Sequence, residues 1–309
     1  MNHLHRFTRA QWAACFPDRL PALSEDGLAD CFGFAEPVSV EEWEMIYVPL
    51  ARWLLEQVYW LQKQQEARSQ YLQRPVAHRP FMIGIGGSVA VGKSTTSRLL
   101  QYTMSQLQPA LRIGLVPTDG FLWPNSTLVE KGILERKGFP ESYNMRRLLH
   151  FLEALHAGST TETIPVYSHH QYDIVPDALH RVGAVDVLLV EGLNVLQLPQ
   201  MKNTTSGGGY CVSDYLDYGV YVDASVEVIE SWYVDRFQTY LQRATQDPSA
   251  YLYQYRHWSV AEVCQQAKRV WQTVNAVNLV ENIAPSKDRA DLIMVKSASH
   301  AVSSIEVRA

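Results

Sequence analysis

The residues Gly87-Ser-Val-Ala-Val-Gly92-Lys93-Ser94 carry the spacing G-x-x-x-x-G-K-S. That pattern does chemistry only in one setting, directly after an apolar strand and at the opening of a helix. There the glycines permit a tight loop whose backbone N–H groups turn inward around phosphate oxygens. The helix N-terminus adds partial positive charge. A lysine at the Lys93 position reaches the β- and γ-phosphates, and a hydroxyl at Ser94 can ligate Mg²⁺. Gly87, Ser88, Val89, Ala90, Val91, Gly92, Lys93, Ser94 and Thr95 are therefore expected to surround the phosphates of ATP. The plain alternative is a glycine-rich turn that only starts a helix.

Polar residues with the right chemistry recur where other apolar runs end. Thr118-Asp119-Gly120-Phe121, Glu191-Gly192, Asp223 and Lys296-Ser297 each close such a run. In open α/β sheets, ligands bind outside the carboxyl ends of the strands. A carboxylate closing an apolar strand is costly unless it meets a partner or water. Asp119 and Glu191 beside a phosphate loop suggest one catalytic base and one magnesium-linked group. Asp119 is the candidate base and Glu191 the candidate metal group, although the two roles could be exchanged. Asp223 is expected to be an ordinary helix cap. Tyr233, Arg236 and Tyr240 are spaced to share one helix face. An arginine there can neutralise charge on a transferring phosphoryl group, or can simply be an exposed residue beside core aromatics.

The elements that must hold these residues follow from periodicity. Phe81–Ile85, Leu111–Val116, Val185–Val190, Tyr218–Val222 and Ala290–Val295 read as buried strands. Ser94–Leu107, Tyr143–Ala157, Val226–Ala244 and Val260–Val280 read as helices. Strands alternating with helices predict an α/β fold, a mostly parallel P-loop NTPase-like sheet flanked by helices. Ser39 and Glu42 form a capping-box pattern before a long helix. Trp43, Ile46, Tyr47, Leu50, Leu54, Val58 and Leu61 make one apolar stripe on it. Residues 1–38 read as irregular or weakly helical, and 206–209 as a mobile loop. A single kinase domain over 1–309 is expected, with 1–75 a helical extension packed on it.

Composition excludes several classes. The 309 residues are 47% hydrophobic and 19% charged, with a net charge of −5. No basic run points to nucleic acid or an anionic membrane. No apolar stretch approaches the ~18–20 residues needed to span a bilayer, and no signal peptide is expected. Cys15, Cys31, Cys211 and Cys264 are unpaired by spacing and lack a histidine cluster, so zinc is not expected and a cytoplasmic setting is.

No N-K-x-D motif follows the phosphate loop, which argues against a GTPase. Several longer motifs narrow the reading further: Gly87–Ser97, Thr118–Phe121, Lys137-Gly-Phe-Pro-Glu-Ser-Tyr143, Pro165-Val-Tyr-Ser168 with Tyr172-Asp173, Glu191–Gln197, Val212-Ser-Asp214, Tyr221–Ala224 and Lys296–Val302. In their order and spacing the chain resembles the bacterial type I pantothenate kinases. The resemblance implies phosphorylation of the primary hydroxyl of pantothenate by ATP with Mg²⁺, the first committed step towards coenzyme A. It implies Asp119 as base, with Lys93, Ser94 and Arg236 on the phosphates. It places Tyr167, His169, Tyr172, Tyr233 and Asn275 around pantothenate, and His300 near adenine. It further implies a homodimer and feedback inhibition by coenzyme A through Lys93, Arg98, His169 and Tyr240. Taken alone, His169 and Arg98 would read as surface residues. Two positions depart from the family pattern: Ala35, where an asparagine is usual near adenine, and Tyr240, where a phenylalanine is usual. The rival readings are a uridine or phosphoribulose kinase and a silent nucleotide sensor, which would need no acceptor base.

Overall fold

The computed structural model describes residues 4–16, 26–32, 38–197 and 211–308. Ala35 and the expected loop at 206–209 lie outside them. Nine strands form in chain order: β1 (Leu4–Thr8), β2 (Phe81–Gly87), β3 (Ile113–Pro117), β4 (Glu162–Ser168), β5 (Asp173–Val182), β6 (Val187–Glu191), β7 (Tyr218–Asp223), β8 (Leu292–Lys296) and β9 (Val302–Arg308). The seven-stranded sheet has the order β1-β9-β8-β7-β2-β6-β3. From β3 to β8 every pairing is parallel; β9 and β1 are added antiparallel. β2 lies between β6 and β7, and all seven of its residues are buried. That is why its sequence is a continuous apolar and glycine run rather than an alternating one.

Register decides where the chemistry gathers. Ile85 and Pro117 both pair with Glu191, and Gly87 pairs with Val222, next to Asp223. The carboxyl ends of β2, β3, β6 and β7 therefore finish at one level, and each expected polar strand end arrives at the same sheet edge.

Helices cover the sheet. The phosphate-loop helix spans Lys93–Leu107. Against it packs the N-terminal helix, built from Val40–Glu42, a π-helical turn Trp43–Tyr47 and Val48–Leu72. Its stripe is buried from Trp43 to Val58, and Trp43 Nε1 donates to Thr103 Oγ1 at 2.8 Å. Each fully buried Ile, Leu or Val there stabilises the fold by about 1.5–3 kcal/mol. Among the described residues no helix is long and apolar enough to cross a membrane.

Several expectations are corrected. Residues 4–8 are an edge strand, not irregular or helical. Their side chains are mostly exposed, so the pairing with β9 is a backbone matter that leaves no apolar alternation to read. The hairpin β4–β5 was not expected either: its burial is irregular, Ile164 and Pro165 being buried side by side, so no clean alternation marks it. Only half of the capping box forms: Ser39 Oγ accepts from Glu42 N at 3.1 Å, but the Glu42 carboxylate is directed to Val302 N. The expected helix at Tyr143–Ala157 spans Met145–His156 with Asn144 as its cap. Val226–Ala244 forms as expected, but Ser225 caps it. Asp223 instead ion-pairs with Lys287. The Val260–Val280 helix is interrupted by a π-helical turn, Trp271–Asn275, and closes on a second, Leu279–Ile283.

Candidate active site

β2 runs directly into the phosphate loop. Gly87 has φ +139°, and a Cβ there would lie 2.4 Å from the Val222 carbonyl oxygen. Gly92, at φ +97°, is the cap of the helix that begins at Lys93. Only glycine adopts these two conformations without strain. Lys93 is buried, and its Nζ donates to the Ser88 carbonyl at 2.7 Å, across the loop. Ser94 Oγ donates to Glu191 Oε1 at 3.1 Å. Burial holds the Lys93 pKa below the ordinary lysine value, opposed by the charges of Glu191 and Asp119. Burial raises Glu191 above the carboxylate range, opposed chiefly by Lys93. The lysine and the glutamate therefore steady each other's charged forms.

The two carboxylates have different surroundings. Glu191 faces the phosphate loop. Asp119 sits in the turn Thr118–Phe121 after β3, its side chain 30% exposed, with Oδ2 3.9 Å from His169 Nε2. The turn lies close against the end of β6: a Cβ on Gly192 would fall 1.8 Å from Thr118 Oγ1. Gly192 is thus what lets the two strand ends approach. Among the described residues no group of three or more His, Cys, Asp or Glu side chains could hold a metal. Ser94 and Glu191 offer two adjacent oxygens, a donor set that suits Mg²⁺, which binds through one or two protein oxygens plus phosphate and water.

Beyond Asp119 lies a wall of aromatic and polar side chains from the β4–β5 hairpin. The Tyr167 ring is 5.2 Å from that of His169 and 6.4 Å from that of Tyr172. Strand β4 ends at Ser168, so His169 belongs to the hairpin turn, yet it still shares the wall with Tyr167. Burial lowers the His169 pKa, as do the charges of Arg236, Arg98 and Lys137, against the pull of Asp119. Tyr233 hydrogen-bonds Asn275, which the first π-helical turn presents. π-turns within helices are frequent at functional sites. Arg236 Nη2 donates to Tyr240 Oη at 2.9 Å. Arg98 Nη1 reaches the Cys31 carbonyl at 3.3 Å. His300 stacks on Trp232 at 4.1 Å and 19°.

Two residues here, Lys137 and Trp232, were not singled out from the sequence. Lys137 donates to the Tyr172 carbonyl at 2.6 Å and to Asn125 Oδ1 at 2.7 Å, with its ammonium over the Tyr172 ring. Burial lowers its pKa to about 8, against the charges of Asp173 and Asp119. Its only signal was its place in the Lys137–Tyr143 motif. Nothing in the sequence marks Trp232, whereas Lys296 is one of the expected polar strand ends.

A phosphate loop on a parallel sheet, with two carboxylates and an arginine converging on it, defines a P-loop phosphotransferase. Residues 82–303 match the model of the phosphoribulokinase / uridine kinase family. The pantothenate kinase of Streptococcus pneumoniae (strain 70585) is 43% identical over 308 residues, covering 99% of this chain and 98% of that protein. That of strain R6 shows the same identity and coverage. The chain belongs to the phosphoribulokinase / uridine kinase family and, within it, to the pantothenate kinases. Solved structures share the fold at low identity. A putative fructose transport system kinase from Silicibacter sp. TM1040 superposes with TM-score 0.55 at 18% identity, covering 79% of this chain and 95% of its own. D-glycerate 3-kinase from Cryptococcus neoformans gives 0.53 at 13%, covering 82% and 97%.

Proposed function

We propose that this chain transfers the γ-phosphoryl group of ATP to the primary hydroxyl of pantothenate, giving 4'-phosphopantothenate and ADP in the first committed step towards coenzyme A. The observation that carries the reading is full-length similarity at 43% identity to proteins named pantothenate kinase. The geometry supports it. Asp119 stands between the phosphate loop and the Tyr167–His169 wall, where an acceptor hydroxyl must lie. The hydroxyl oxygen attacks the γ-phosphorus, the bond to the β–γ bridging oxygen breaks, and the proton passes to the Asp119 carboxylate. Lys93 and Arg236 neutralise charge on the transferring group. Mg²⁺, held by Ser94 and Glu191, would add charge neutralisation at the β- and γ-oxygens. Coupled ADP release with pantothenate, uridine or ribulose 5-phosphate tests the acceptor. Turnover with either of the latter two and none with pantothenate would overturn the reading.

The acceptor wall makes its own prediction. Tyr167→Phe, His169→Gln and Asn275→Ala each remove one polar contact to a small hydroxy acid. An unpaired buried partner costs about 1–3 kcal/mol, or about 5–150-fold. KM for pantothenate is expected to rise by that factor, with KM for ATP much less affected. Lys137 supplies a buried cation for an acidic acceptor. Because its pKa lies near 8, KM for pantothenate should climb as pH rises through that value, and Lys137→Met should remove the step. Saturation curves for both substrates decide it. Equal effects on ATP would place these side chains outside the acceptor pocket.

Coenzyme A is expected to inhibit competitively with ATP, since both ligands bring phosphates to Lys93. Arg98, on the same helix and acting on His169 and Glu191 through its charge, adds a contact for the inhibitor. Arg98→Ala should weaken inhibition while kcat stays within a few-fold. Tyr240 spends its hydroxyl on Arg236, so Tyr240→Phe should strengthen inhibition. ATP saturation curves at several coenzyme A concentrations test this; inhibition that high ATP does not relieve would exclude a shared site.

A further inference from the structure

Lys296 takes no part in the chemistry described above. It ends β8, is 8% exposed, and its Nζ donates to the Val91 carbonyl in the phosphate loop at 3.3 Å. The approach is close, for a Cβ on Gly92 would lie 2.7 Å from the same nitrogen. The aim of this side chain has a backbone cause. The β8–β9 pairing shifts register between Val295 and Lys296, and such an irregularity re-aims a side chain. At the shift, Val302 N donates to Glu42 Oε1 at 3.2 Å. Glu42, 5% exposed, comes from the start of the N-terminal helix, and its Oε2 lies 4.0 Å from Arg9 Nη1. From the remaining side the Trp232 ring approaches to 6.0 Å.

We propose that Lys296 is a positioning residue for the nucleotide, bracing the phosphate loop from behind at Val91 and Gly92 while Glu42 holds its charge in place. The loop binds phosphate only while its N–H groups face the cradle. An ammonium behind the Val91 carbonyl favours that arrangement, through a charge-assisted hydrogen bond. It also adds positive potential beneath an anionic ligand. The N-terminal helix thereby acts on the nucleotide site through Glu42. The inference rests on the nucleotide half of the reading above and not on the identity of the acceptor.

Charge gives the idea a distinctive signature. Burial lowers the Lys296 pKa to about 8, and among the described residues Glu42 is the charged group that raises it. Below that pH the brace is charged; above it the charge is lost and ATP affinity should fall. Without the Glu42 charge the fall should begin at lower pH.

The test is calorimetric titration of ATP with Mg²⁺ into the full chain, without acceptor, from about pH 6.5 to 9.5 around the lysine's pKa. Lys296→Met is expected to raise Kd for ATP roughly 10-fold at pH 7 and to lack the step near pH 8. In turnover its KM for ATP should rise while kcat at saturation and KM for pantothenate stay within a few-fold. Glu42→Gln keeps the acceptor for Val302 N but not the charge, and should move the step to lower pH. Should Lys296→Met fail to fold, the shift in Glu42→Gln carries the test alone. Unchanged ATP affinity in both variants would overturn the proposal, as would an unmoved step in Glu42→Gln or parallel losses for both substrates. A wild-type chain that binds no ATP would refute the nucleotide reading itself.

Discussion

Asp119→Asn is expected to lower kcat by roughly 10²–10⁴-fold while ATP still binds. Asparagine keeps the shape and hydrogen-bonding reach of the carboxylate but cannot take the acceptor's proton. Nucleotide affinity should hold because two effects oppose each other. Asp119 supports the charged form of Lys93, so its loss weakens that cation slightly. The same loss removes a negative charge beside a binding site for an anion, which favours the triphosphate. His169 is a rival proton acceptor, since its pKa is lowered and it lies 3.9 Å from Asp119. The residual rate of Asp119→Asn should therefore fall further in the double variant with His169→Gln only if the imidazole takes over the role. Coupled ADP release gives kcat, and calorimetric titration gives ATP affinity. A kcat within a few-fold of wild type would move the base elsewhere, with Glu191 the next candidate.

The roles of Asp119 and Glu191 show where sequence reasoning reached its limit. That both close strands beside the phosphate loop was legible, because β2 and β6 are buried on both faces and β3, though only partly buried at the sheet's end, is still an apolar run. Which carboxylate faces which ligand was not, because that depends on register and on the turn after each strand. Ile85 and Pro117 both pair with Glu191, which puts Glu191 beside Ser94, while the Thr118–Phe121 turn carries Asp119 towards the hairpin wall. Elements fixed by backbone pairing alone stayed hidden. β1 leaves most of its side chains in water, and the β4–β5 hairpin mixes exposed and partly buried positions without a regular period, so no alternation marks them. Buried cations were hidden for another reason. Lys137 looks like an ordinary surface lysine in a sequence and Lys296 only like a polar strand end, and only the fold shows the carbonyls that receive their ammonium groups. Asp223 failed as a cap for a related reason: Lys287, 64 residues away, competes for it, and Ser225 was available to cap the helix.

Lys93→Met is expected to abolish measurable transfer and to weaken ATP binding. One preorganised donor aimed at developing charge is commonly worth about 10²–10³ in kcat. Lys93 should exceed that, because it is buried, where electrostatic interactions are screened less than in water. Methionine preserves most of the side-chain volume, so the loop need not collapse into a cavity. What changes is the charge balance of the pocket. Lys93 is the chief influence holding the buried Glu191 carboxyl down; without it that group moves further towards its protonated form and becomes a poorer partner for Mg²⁺. The variant should thus lose a phosphate contact and part of the metal's affinity together, and ATP affinity should fall more with Mg²⁺ present than without it. Glu191→Gln introduced beside Lys93→Met removes the stranded carboxyl. It should restore thermal stability if any was lost, yet restore no activity. Thermal unfolding, coupled assay and titration with and without Mg²⁺ separate these outcomes. Full activity in Lys93→Met would remove the phosphate-loop assignment. A loss of ATP affinity that ignores Mg²⁺ would break the link between Lys93 and Glu191, leaving the lysine to act on the phosphates alone.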